Sequence, residues 1–183
     1  MLRGVASDLR AGWTELLDRI EWDWVGTLTF RDEVHPEAAA KRFGKFVAMM
    51  NRSIYGPRWS KKPEGVIWAK ATESQRRGVL HFHVLLAGVC GLNPLPFILH
   101  WKELAGFAKI ERLRDQKAAI RYILKYVGRG CDLEVGGPWS GSAASRKRIS
   151  GRQGYRSGKR TRPREKGRRL RRSIVATAGS SSR

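Results

Sequence analysis

The sequence predicts a mixed α/β domain with an antiparallel sheet, followed by a basic tail. Three observations carry that reading. Short segments rich in β-formers, such as residues 24–30 and 80–86, place their side chains with a period of two. Between them lie stretches whose apolar residues recur at helical spacing, Ala39, Phe43, Phe46, Val47 and Met50 among them. From residue 136 onward Gly, Ser and Arg take over and the periodicity stops.

At 183 residues the chain has room for one domain and a tail. A hydrophobic content of 41%, with seven Trp, six Phe and four Tyr, is enough for a real core. The formal net charge is +21 and the pI about 11.1. A field of that sign attracts polyanions, and nucleic acid is the partner class it selects. An anionic membrane surface is the weaker alternative, because no long basic amphipathic helix stands out. Cys90 and Cys131 form neither a CxxC pair nor a disulfide framework, which fits a reducing compartment and is too few thiols for a zinc knuckle. No apolar run of about 18 residues occurs, and the first residues are too charged for a secretory signal. A soluble intracellular protein is expected. The absence of a GxxxxGK(S/T) phosphate loop argues against an ATPase or helicase.

Taken in order, Leu9, Trp13, Leu16, Leu17 and Ile20 mark an amphipathic helix over about residues 5–20. Residues 24–30 read as a strand with Val25, Thr27 and Thr29 on one face and Trp24, Leu28 and Phe30 on the other. After a turn, Pro36 opens a helix that runs to about Ser53. Residues 55–65 are a basic loop whose Arg58, Lys61 and Lys62 can touch phosphates or simply be solvated. Residues 66–73 form a second strand, Arg76 and Arg77 sit in a short turn, and the strand that follows pairs back as an antiparallel hairpin. A short helix ending near Leu104 contains His100, which has no partner ligand nearby in sequence and reads as structural or exposed. A strand over 107–113 leads to a helix over 115–129, with Asp115 as N-cap and Gly128 or Gly130 as its stop. Residues 141–183 hold 15 of the 37 Lys and Arg but one acid, Glu165, a net of +14 that leaves +7 for the rest. Residues 1–135 are therefore expected to fold, and 136–183 to form a flexible nucleic-acid arm.

The chemistry concentrates in residues 73–88. His81 and His83 share one strand face with Cα atoms about 6.5–7 Å apart, while Leu80, Phe82, Val84 and Leu86 take the other. Two such imidazoles can reach one metal ion, or they can be satisfied core histidines; the local pattern leaves both open. Glu73, a short turn away, can converge on the same ion. A two-imidazole, one-carboxylate set suits Mn2+ or Mg2+ and leaves positions for phosphate oxygens. In the last helix Ala119, Ile120, Ile123, Leu124 and Val127 form the apolar stripe. Tyr122 lies off it beside Lys125 and Arg129, and Tyr126 stands at its edge, so the two hydroxyls can lie side by side. A tyrosine can attack a phosphodiester covalently, but with a pKa near 10 it needs activation. A metal ion on the phosphate and an ammonium such as Lys125 would supply it.

Three motifs in order now resemble those of the HUH endonucleases, in particular the rolling-circle replication initiator (Rep) proteins of small plasmids and single-stranded DNA viruses. Val25-Gly-Thr-Leu-Thr-Phe30 is similar to a strand motif of the FLTLTF kind, His81-Phe82-His83 to the His–hydrophobic–His motif, and Tyr122-Ile-Leu-Lys125-Tyr126 to the YxxKY helix motif. The resemblance covers roughly residues 24–129. It implies a ferredoxin-like α+β fold with helices on one face of the sheet and the metal on the other. It implies that His81, His83 and Glu73 bind Mn2+ or Mg2+, that Tyr122 is the nucleophile and that Lys125 assists. Relatives with one and with two catalytic tyrosines both occur, so Tyr126 is a second candidate. Thr27, Thr29, Arg76, Arg77 and Arg129 are the candidate nucleic-acid contacts beside these. The activity implied is nicking and joining of single-stranded DNA at an origin or hairpin through a 5′-phosphotyrosine, with a host helicase and polymerase as partners and no membrane. The compartment would be the cytoplasm of a bacterial or archaeal host, or the nucleus for a eukaryotic virus. An HUH transposase or relaxase is the rival within this chemistry, and a non-catalytic basic nucleic-acid-binding protein the rival outside it.

Overall fold

The computed structural model describes residues 2–74, 78–127 and 131–138, with side chains from residue 8 onward. All of them belong to the first of two units, residues 1–150. Arg76, Arg77, Arg129, the two candidate glycine stops and residues 139–183 of the expected arm lie outside the described residues.

The elements are α1 (Leu2–Asp18), β1 (Trp24–Phe30), α2 (Pro36–Tyr55), a 3-10 turn (Trp59–Lys61), β2 (Ile67–Ser74), β3 (Leu80–Ala87), α3 (Leu95–Leu104), β4 (Gly106–Arg112), α4 (Gln116–Val127) and β5 (Leu133–Gly136). The five strands form one sheet in the order β4-β1-β3-β2-β5, with every pairing antiparallel. From β1 to β4 the element order is β-α-β-β-α-β, that of a ferredoxin-like domain. The mixed α+β fold with an antiparallel sheet is as expected.

Alternation builds both faces. Trp24, Leu28 and Phe30 of β1 and Phe82, Val84 and Leu86 of β3 point to one side, where they pack with Phe43, Phe46 and Met50 of α2 and Phe97 and Trp101 of α3. Phe82 lies edge-on to Phe30 and Phe43, at centroid distances of 5.3 and 5.7 Å, so it ties β3 to both β1 and α2. Asp115 caps α4 as expected, accepting from the backbone N–H of Ala118 at 3.0 Å.

Two arrangements differ from expectation. The two helices inside the β-α-β-β-α-β unit do cover one face, but the opposite face is not bare. Leu17 and Ile20 of α1, together with Trp22, pack with Ala119, Ile120, Ile123 and Leu124 of α4 against Ala69 and Ala71 of β2 and Leu85 and Ala87 of β3. These helices flank the unit in the chain, and their apolar stripes need a second surface to bury. Leu9, expected in the stripe of α1, is exposed. The second difference is β5, a four-residue strand that extends the sheet beyond β2. It is held by tertiary contacts. Glu134 pairs with the buried Lys70 at 2.7 Å, and the Lys70 ammonium lies 4.5 Å from the Phe82 ring centroid. No described helix is long and apolar enough to cross a membrane.

Because Phe82 faces away from the two histidines beside it, its truncation isolates packing from chemistry. Phe82→Ala should cost about 3–5 kcal/mol of stability, read as a lower denaturation midpoint at an unchanged m-value. A loss below about 1 kcal/mol would contradict its place in the core.

Candidate active site

Register assembles the site in two rows across β1, β3 and β2. Thr29, His81 and Glu73 stand directly opposite one another in one row, and Thr27, His83 and Ala71 in the next. All but Ala71 carry side chains that can bond, and all lie on the face opposite Phe82. The Glu73 carboxylate reaches diagonally to His83 Nε2 at 2.9 Å. Thr27 Oγ1 lies 3.3 Å from His83 Nδ1, and Thr29 Oγ1 lies 3.2 Å from His81 Nδ1. Each histidine thus has a threonine hydroxyl on its inner nitrogen, an arrangement that orients a ring and selects its tautomer.

Helix α4 closes one side. Ala69 and Ala71 leave little side-chain bulk beneath it, so its rings come down onto the sheet. Tyr126 stacks flat on His83, with centroids 3.7 Å apart and planes 10° from parallel. Tyr122 meets the same imidazole edge-on, its hydroxyl 3.4 Å from His83 Nδ1. The Tyr126 hydroxyl donates to that of Tyr122 at 3.2 Å. The expected side-by-side hydroxyls are therefore present, both contacts at the long end of hydrogen bonding. The two phenols differ in access: Tyr122 is 41% exposed and Tyr126 8%. Tyr126 takes the buried place expected for Val127, which is only half-buried. Lys125 is exposed on the Tyr122 side of the helix, and no carboxylate pairs with it among the described residues.

The two histidines are not equivalent. His83 is 4% exposed and has both nitrogens engaged. His81 has its Nδ1 at Thr29, but its Nε2 is buried with no partner. Burial, then the neighbouring His83, hold the His81 pKa below the usual 6.5, while Glu73 pulls it up. His81 is therefore neutral at pH 7, with a lone pair at a buried, unpartnered nitrogen. As a donor set, two imidazoles and a carboxylate suit a divalent cation with open positions. The 2.9 Å between Glu73 and His83 also matches the edge of an octahedron with bonds of about 2.1 Å, about 3.0 Å. His81 does not yet join that pair: no three His, Cys, Asp or Glu side chains converge to hold a metal among the described residues. The residues fit the ion in kind, and His81 would have to turn toward it.

Thr27 and Thr29 come to the site as expected, but their hydroxyls face imidazoles. His100 is half-buried in α3, and His35 is exposed in the turn before α2. One residue of the site face that was not singled out is Phe107 of β4. It is opposite Thr29 and 65% exposed. Its signal in the sequence is an aromatic on the same strand parity as Lys109 and Glu111.

Residues 23–130 match the family model for replication-associated proteins of the ORF2 type. That span holds β1 to β4, α4 and every residue of the two rows. No curated protein and no solved structure matches the chain.

The inequivalence can be read by titration. In metal-free protein followed by NMR, the His81 ring should titrate below the usual 6.5. Glu73→Gln should lower it further, since the carboxylate that favours the imidazolium is gone. A rise in the His81 pKa in that variant would contradict the assigned balance.

Proposed function

Because the chain belongs to the ORF2-type family of replication-associated proteins, we propose that it initiates DNA replication as an HUH-type enzyme that nicks and rejoins single-stranded DNA at an origin or hairpin. One observation carries this reading: the exposed Tyr122 has its hydroxyl 3.4 Å from a histidine that is itself bonded to a carboxylate. Nucleophile, base and orienting group then stand in sequence.

In this reaction Tyr122 Oη attacks phosphorus as the bond to the 3′ oxygen breaks. The products are a 5′-phosphotyrosine and a free 3′-OH from which a polymerase can extend. The phenolic proton has His83 Nδ1 within reach, and Glu73 on Nε2 favours the tautomer whose Nδ1 is free to accept it. Lys125, one turn along α4, supplies positive charge near the phosphate as it becomes pentacoordinate. Attack of a 3′-OH on the phosphotyrosine reverses the step and joins the strand, without ATP, since the phosphoester bond is exchanged and not lost.

His81, His83 and Glu73 would hold Mn2+ or Mg2+, and the orphaned His81 Nε2 supports that. When bound, the ion would polarise the phosphate and neutralise its growing charge. Thr27 and Thr29 keep the two rings turned. Tyr126 would have to leave its stack on His83 before it could attack a phosphate, so its resting role is to hold His83 and Tyr122 in place. A host helicase and polymerase would supply unwinding and synthesis.

Incubation with an origin hairpin oligonucleotide and Mn2+ should give a covalent adduct that survives denaturation. Tyr122→Phe should lower its rate on the order of 10⁴-fold, and EDTA should stop it. His81→Ala should abolish cleavage while salt-sensitive DNA binding stays nearly intact. An adduct formed by Tyr122→Phe would overturn the nucleophile. Metal-independent binding with no cleavage of any candidate hairpin would make this a non-catalytic DNA-binding member of the family.

A further inference from the structure

The site face has a covered half and an open half. Helix α4 rests on β2 and β3, whereas β4 is an edge strand beyond β1. Register carries both rows onto β4: Phe107 stands opposite Thr29, and Lys109 opposite Thr27. Their strand neighbours Gly106, Ala108 and Ile110 are buried on the other face, so the parity of β4 turns Phe107 and Lys109 to the site side. Phe107 is 65% exposed, more than any other large apolar residue described. A single exposed apolar side chain on a protein surface is ordinary. This one, however, lies in the same row as His81 and Glu73, about 10 Å from His81 across two strand spacings. Tyr122 looks onto the same face from the opposite side. Lys109 is equally open, and its only ion pair among the described residues is with the exposed Glu111 at 3.3 Å, a pairing weak enough to be exchanged for a phosphate.

We propose that Phe107 and Lys109 form a binding platform for single-stranded DNA: Phe107 stacks on a base flanking the scissile phosphate, and Lys109 meets the adjoining backbone. The charge of the chain, +21 overall, favours a polyanion on this surface over an apolar or cationic partner. Stacking suits an enzyme that must hold a strand whose bases are unpaired, since every base offers a π-face. The placement of the scissile phosphate rests on the nicking reaction proposed above; the platform itself requires only that single-stranded DNA binds.

Direct binding of a labelled single-stranded oligonucleotide across a salt series separates the two residues. Phe107→Ala should weaken binding about tenfold and leave the slope of log K against log salt unchanged. Phe107→Trp and Phe107→Tyr should retain affinity, whereas Phe107→Leu, apolar but not flat, should not. Lys109→Gln should reduce the slope by about 0.7, one phosphate contact on a single strand. Equal affinity in the wild type and Phe107→Ala overturns the platform. So does a dimer, seen by sedimentation, that Phe107→Ala dissociates without changing DNA affinity; the exposed ring would then pair two copies of the chain. Adduct formation by Tyr122 alongside normal Phe107→Ala binding sinks only this proposal. Phe107-dependent binding without any adduct sinks only the nicking reaction.

Discussion

The site depends on the register of β3 between β1 and β2. Because side chains alternate with a period of two, a slip of one residue would carry His81 and His83 into the core and Phe82 to the surface. Phe82 opposes that slip. Its ring is fixed against Phe30, Phe43 and Trp101, and the other face is already filled where α4 lies over Ala69 and Ala71. The residue between the two histidines contributes nothing chemical, yet the positions of Glu73, Thr27 and Thr29 relative to the imidazoles follow from it through the ladder.

A second constraint acts from above. The small residues of β2 allow α4 to approach until Tyr126 lies flat on His83. That contact fixes the imidazole plane from one side while Thr27 and Glu73 fix its two nitrogens. It also sets the place of Tyr122 one turn earlier on the helix, since residues four apart share a face. One ring is buried as a structural member and the other is left exposed to act. The division of labour within a two-tyrosine motif thus arises from the height of a helix above a sheet.

What could be read from the sequence was whatever has a local period. Residues 24–30 and 80–86 alternate cleanly, so the strand bounds and the shared face of His81 and His83 were accessible, as was the azimuth of Tyr122 off the α4 stripe. Contacts between distant residues were not. The hydroxyls of Thr27 and Thr29 find partners 56 and 52 residues along the chain, and nothing near them in sequence shows that they face nitrogen. Strand β5 has four residues and no period of its own to detect. It exists because the edge of β2 and the ammonium of Lys70 offer it partners. Tyr126 was visible at the edge of its stripe, but which edge residue would be buried depends on the imidazole waiting beneath it.

The inequivalence of the histidines links this geometry to the proposed chemistry. A phosphodiester approaching Tyr122 meets the Glu73 carboxylate one histidine away, and two like charges at such distances repel by several kcal/mol unless something lies between them. His83 cannot relieve that repulsion alone, because its Nε2 is already committed to the carboxylate. His81 is kept neutral by burial and by its neighbour, so it offers a lone pair and no positive charge. A carboxylate, a neutral imidazole with an unpartnered nitrogen and a polyanionic substrate together demand a cation from outside the chain, which is why the proposed metal follows from the electrostatics of these rows as well as from their donor atoms.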